Sequence, residues 1–186
     1  MHARTFIPAL AAAFAASLVA ASGQANAAPT DADAQALAAR VVTYDASASA
    51  EFRAAVDRGA AVWNESVDSV ELRPAAAGQR ANIRVADNGW PRALTTSLGN
   101  GTVYIGRQAV TQGYDTVRIS AHELGHILGL PDRKPGPCSS LMSGSSAGVA
   151  CKNPYPDAAE RAEVEDNFGA ALTRPAGVPR QVVLVD

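Results

Sequence analysis

Histidine is almost missing from this chain. Of its 186 residues only three are histidine: His2, His122 and His126. Cysteine is confined to Cys138 and Cys151, lysine to Lys134 and Lys152, and aromatic residues make up 5% of the chain. The formal net charge is −2, with the basic residues scattered. These scarcities exclude several partners. Scattered arginines give no basic stripe for a nucleic-acid backbone and no polybasic patch for a membrane surface. Apart from the N-terminal segment, no apolar run is long enough to span a bilayer.

The N-terminus carries Met1, His2 and Arg4, then the uncharged segment FIPALAAAFAASLVAA from Phe6 to Ala21. Ala25-Asn26-Ala27 follows, the small-x-small pattern of a cleavage site. A membrane anchor is the alternative, but the run is short for one. Residues 1–27 therefore read as a signal peptide, and the mature chain is expected outside the cell with no membrane attachment. Residues 28–40, rich in Ala and Asp, read as a short propeptide or linker that cannot bury a core. Residues 41–173 are expected to form one domain, and 174–186 a loosely held tail whose VVLV run is undecided as an edge strand. In an exported chain, the Cys138 and Cys151 pair is expected to form a disulfide. Two thiolate metal ligands are the alternative, though the close C-x-x-C spacing is absent.

The coarse pattern is mixed. Val41–Asp45, Val70–Arg73, Asn82–Asp87 and Thr102–Gly106 read as strands. A helix starting at Ser47 or Ser49 carries the stripe Phe52, Val56, Ala60, Trp63 and Val67. Residues 88–101 read as a loop. A second helix runs from Asp115 to Leu128 with Val117, Ala121, Leu124 and Leu128 on one face, stopped by Gly129 and Pro131. Asp157 to Glu160 has capping-box spacing and opens a final helix with Val164, Phe168 and Leu172 on one side.

The stretch SAHELGHILGLPD, Ser120 to Asp132, carries both histidines beyond the N-terminal segment. His122 and His126 stand four apart on the helix, so their rings aim at one point, as two ligands of a tetrahedral metal must. Glu123 is rotated by about 100° and sits beside that point, where a carboxylate can take a proton from water. Gly129 permits a positive φ that turns the chain back, and Asp132 can return as the third ligand. Two imidazoles and one carboxylate leave a fourth position open, the mark of a catalytic zinc site. Two histidines on a helix can also be ordinary structural residues, so the motif needs its structural context.

HELGHILGLPD followed by SSLMSGSS resembles the metzincin metallopeptidases, with Asp132 in the place of their third histidine. With LPD…GPCSSLMSG and the C-x-NPYP run it is similar to the snapalysins, small neutral proteases secreted by Streptomyces. The resemblance covers Val41 to about Leu172. It implies an α+β, metzincin-like fold: a mixed twisted sheet of about four to five strands, two long helices, and a small C-terminal helical subdomain below the cleft. It implies zinc on His122, His126 and Asp132, Glu123 as general base, and Met142 packed beneath the ligands in a Met-turn braced by the cysteine pair. It also implies an antiparallel edge strand, expected at Thr102–Gly106, that pairs with extended peptide. An aromatic residue just after the cut bond is the preference it implies. Relatives hold calcium near the start of the active-site helix, which would use Asp115 and the Val117 carbonyl here; Asp115 reads equally as an N-cap. Family members tend to have His-Tyr after the aspartate, where this chain has Arg133-Lys134.

The expected function is a secreted zinc-dependent endopeptidase, monomeric, acting on extended peptides or unfolded proteins. A zinc-binding or inhibitory module without turnover is the alternative. A zinc nuclease of RNA maturation would need a basic channel, and none is present.

Overall fold

A computed structural model describes residues 38–173. The expected signal peptide 1–27, residues 28–37 of the expected propeptide or linker, and the expected tail 174–186 lie outside the described residues. The strands are β1 (Arg40–Asp45), β2 (Val70–Pro74), β3 (Ile83–Ala86), β4 (Arg92–Ser97) and β5 (Asn100–Tyr104). The helices are α1 (Arg53–Asn64), α2 (Arg107–Thr111), α3 (Thr116–Ile127) and α4 (Ala158–Thr173), with 3-10 segments at Ser47–Phe52 and Leu141–Ala147.

The five strands form one sheet in the order β2-β1-β3-β5-β4. β1 runs parallel to β2 and β3, and β3 parallel to β5, while β4 alone is antiparallel, on β5. This is the mixed sheet with long helices that the resemblance implied. Alternation decides which face is covered. Val42, Tyr44, Leu72, Ile83, Val85 and Val103 are buried, whereas Thr43, Arg73, Arg84 and Thr102 are not. The buried set meets the apolar stripe of α1, whose Val56, Ala60 and Trp63 are almost wholly enclosed. Gly59 lets α1 approach α3 closely, because a Cβ there would stand 2.9 Å from the Ala121 nitrogen. Trp63 Nε1 donates to the Ala121 carbonyl at 2.8 Å, so the indole finds the partner that its burial requires.

Three expectations are corrected. The segment read as a loop contains β4, which sequence periodicity misses because Arg92, Thr95, Thr96 and Ser97 are exposed and no apolar alternation marks it. Its backbone pairing with β5 holds it, and Arg92 lies 3.7 Å over the Tyr104 ring. The free antiparallel edge therefore belongs to β4, and Thr102–Tyr104 lies inside the sheet. Neither Ser47 nor Ser49 caps the α-helix: the chain first winds as a 3-10 turn, with the Asp45 carboxylate accepting from the Ser47 amide at 2.9 Å. The capping box at α4 forms as its spacing predicted. Asp157 Oδ1 accepts from the Glu160 amide at 2.9 Å and Glu160 Oε2 from the Asp157 amide at 2.7 Å.

Candidate metal centre

α3 is capped by Asp115, whose Oδ1 accepts from the Arg118 amide at 2.9 Å. Its apolar face packs into the core, but the helix is not amphipathic in the usual sense. Arg118, Ser120, His122 and Glu123 are buried as well, because the Leu141–Ala147 segment covers the second face. A fold encloses polar side chains on two sides of a helix only when they are partnered or used.

Gly129, at φ 98°, ends α3 and swings the chain back. Asp132 returns with Oδ1 3.3 Å from His122 Nε2 and 3.6 Å from His126 Nε2. All three potential ligand atoms lie within 4.8 Å of one another. Donors about 2 Å from a tetrahedral ion stand about 3.3 Å apart, so this spacing suits a divalent metal. The imidazoles are oriented for the task. His122 Nδ1 donates to the Leu141 carbonyl at 3.0 Å, and His126 Nδ1 to the Leu130 carbonyl at 2.8 Å. A carbonyl only accepts, so Nδ1 carries the proton in both rings and each Nε2 lone pair faces Asp132. Backbone partners of this kind fix the tautomer of metal-ligating histidines. The donor set thus fits a metal ion.

Electrostatics separates the groups. Burial, then the neighbouring His122, holds the His126 pKa below the usual imidazole value, which favours the neutral ligand form. Asp132 is held well below the usual carboxylate range, its neighbour His122 and then the Lys134 ammonium outweighing the effect of burial. Lys134 Nζ lies 2.9 Å from Asp132 Oδ2, and Arg133 turns away to Glu163. Glu123 is 3% exposed and its Oε2 has no hydrogen-bond partner among the described residues. Burial pushes its carboxyl up to about 7, against the opposing pull of His122.

The cysteines are bridged, Cys138 to Cys151, with Cα atoms 5.6 Å apart, which removes the thiolate-ligand alternative. Met142 is fully buried against α3. A Cβ at Gly125 would stand 2.8 Å from Met142 Sδ, so only glycine admits the sulfur that close. Met142 thus packs under the helix turn between the two histidines. Asp115 serves as the N-cap, and Val117 is half-buried. Among the described residues, only His122, His126 and Asp132 gather three potential metal ligands.

Beside Glu123 a cavity of about 50 Å³ is lined by Trp90, Tyr114, Ile119 and His122 among others. Trp90 meets Tyr114 edge to face, with ring centroids 6.0 Å apart. Sequence reasoning missed Trp90 as part of the site, since it sits in the segment read as loop. An exposed-loop tryptophan next to Gly89 and Pro91 was the available signal.

A profile of the Streptomyces extracellular neutral proteinase (M7) family matches residues 39–170. The chain is 40% identical over 144 residues to the extracellular small neutral protease of Streptomyces lividans, covering 75% of this chain and 63% of that relative. The protein of the same name from Streptomyces caespitosus is 42% identical over 123 residues, covering 66% of this chain and 92% of the relative. That from Streptomyces coelicolor is 39% identical over 142 residues, covering 75% and 64%. The chain therefore spans a little under two thirds of the length of the S. lividans and S. coelicolor relatives. Matched along nearly all of its described residues, the chain belongs to the Streptomyces extracellular neutral proteinase (M7) family.

Proposed function

We propose that this chain is a secreted, monomeric zinc endopeptidase that hydrolyses extended peptide segments of extracellular proteins. The observation that carries the reading is the convergence of His122, His126 and Asp132 next to the buried carboxylate of Glu123, whose Oε2 has no hydrogen-bond partner among the described residues. A zinc ion on those three ligands would supply Lewis acidity, polarising the scissile carbonyl and easing ionisation of water. Glu123 accepts the proton of the attacking water as the new C–O bond forms. It then delivers that proton to the amide nitrogen as the C–N bond breaks. Its raised pKa suits both steps, since a base poised near neutrality can also act as the acid.

The free edge of β4 offers backbone N–H and C=O groups to an extended peptide running along it. The cavity lined by Trp90, Tyr114 and Ile119 receives the side chain following the cut bond, an aromatic one by family precedent. The relatives are extracellular proteases by name, which supports export, as does the N-terminal segment. In this reading residues 1–27 are removed as a signal peptide, 28–40 form a propeptide or linker, 41–173 form the peptidase domain and 174–186 a tail. A zinc-binding module without turnover would have no use for a buried carboxylate with an unpartnered oxygen at Glu123. The test is Glu123→Ala. It is expected to retain zinc and fold while losing nearly all casein hydrolysis, and undiminished hydrolysis would refute the assigned role.

A further inference from the structure

Glu160 entered the sequence reading only as the last residue of a capping box. In the structure it is wholly buried, the only carboxylate among the described residues with no exposure at all. One such charge taken out of water needs several hydrogen bonds to remain tolerable. The Asp157 amide at 2.7 Å is the capping bond. The remaining bonds leave α4 altogether: the Ser140 hydroxyl donates to Oε1, the Leu141 amide donates to Oε2 at 3.0 Å and the Met142 amide to Oε1 at 2.8 Å. The carboxylate therefore grips the N–H side of the turn that carries Met142.

Arg118 grips the other side. Its guanidinium, buried on α3 one turn before His122, donates to the Ser140 carbonyl at 2.9 Å, the Leu141 carbonyl at 3.4 Å and the Ser143 hydroxyl at 2.9 Å. The peptide group joining Leu141 to Met142 is thus held by an anion at its N–H, the Met142 amide, and by a cation at its C=O, the Leu141 carbonyl. That same C=O accepts from His122 Nδ1 at 3.0 Å. A peptide whose N–H is bound to a carboxylate has a more negative carbonyl oxygen, because hydrogen bonds in series polarise one another. Such an oxygen holds Nδ1–H more firmly and leaves Nε2 the better donor.

We propose that Glu160 is a positioning residue of the metal centre, acting on His122 through the Leu141–Met142 peptide group, with Arg118 as its charge complement. The proposal rests on the reading of His122, His126 and Asp132 as metal ligands. Glu160→Gln keeps the size but sets an amide NH2 group against backbone N–H donors, so the turn is released where it is now held. Partners one bond removed from a metal-ligating histidine change metal affinity by about 10–100-fold.

The experiment uses the full chain with zinc as the probe. Zinc affinity is measured by competition with a chelator, and the His122 tautomer by ring-nitrogen NMR of the metal-free protein. Wild type is expected to bind zinc and to show the Nδ1–H tautomer. Glu160→Gln is expected to bind zinc about 10–100-fold more weakly and to populate the Nε2–H tautomer. Val164→Ala, a core truncation on the same helix, controls for mere destabilisation and is expected to keep the wild-type tautomer and affinity. Should Glu160→Gln fail to fold, Glu160→Asp, which keeps the charge but withdraws it by one methylene, serves in its place with the same expected direction. Unchanged affinity and tautomer in a folded Glu160 variant, or equal losses in Val164→Ala, would overturn the proposal alone. A wild type that binds no zinc would overturn the ligand reading along with it.

Discussion

The burial of Glu123 has a thermodynamic consequence that can be measured without any turnover. Its carboxyl is pushed from an ordinary 4.5 up to about 7, first by burial. A displacement of that size corresponds to about 3 kcal/mol of differential stability between its two protonation states. The sign follows from proton counts. Below pH 4.5 the group is protonated in both the folded and unfolded chain and contributes no penalty. Between 4.5 and 7 the unfolded chain releases the proton while the folded one retains it, so stability falls as pH rises. Above 7 the full destabilisation is present. The perturbation is Glu123→Gln in chelator-treated protein, and the assay is urea denaturation at several pH values from 4.5 to 8. The other titrating groups, Asp132 and His126 included, are present in both proteins and largely cancel in the difference. The variant should be more stable than wild type by about 3 kcal/mol at pH 8, with the gap closing toward pH 4.5. Saturating zinc should shrink the gap at pH 8, since a nearby cation favours the ionised carboxylate. A gap that stays constant across the pH range would refute the claim that this carboxylate is held in a low-dielectric site.

Asp132→Ala removes one of three converging donors. It should weaken zinc binding by more than the roughly 100-fold upper bound for indirect partners, as read by chelator competition. Gly125→Ala sets a methyl 2.8 Å from Met142 Sδ and 3.1 Å from Trp63 Cζ2. Overpacking of this kind costs about 1–3 kcal/mol, seen as a lower midpoint in chemical denaturation with zinc-binding side chains untouched. Replacing both Cys138 and Cys151 by Ser opens a loop of sequence separation 13. This should lower stability by about 3 kcal/mol, and a variant as stable as wild type would refute the bracing role of the bridge.

Sequence alone determined the parts of this protein governed by local geometry. The 3.6-residue period set His122 and His126 on one helical face. The β-branched and aromatic residues of Val41–Asp45 marked the first strand. The glycine at 129 announced the reversal that returns Asp132, and Asp157 with Glu160 spelled out a cap by their spacing alone. Long-range pairing decided the rest. β4 has no apolar rhythm, and it exists because β5 lies alongside to satisfy its backbone. Trp90 lines the cavity only because β4 and α3 bring it to Tyr114. Nothing local in the chain marks Arg118 or Glu160 as interior charges. They became interior ones because two helices distant in sequence close on the same turn, and a buried charge acquires its role from partners that no local pattern names.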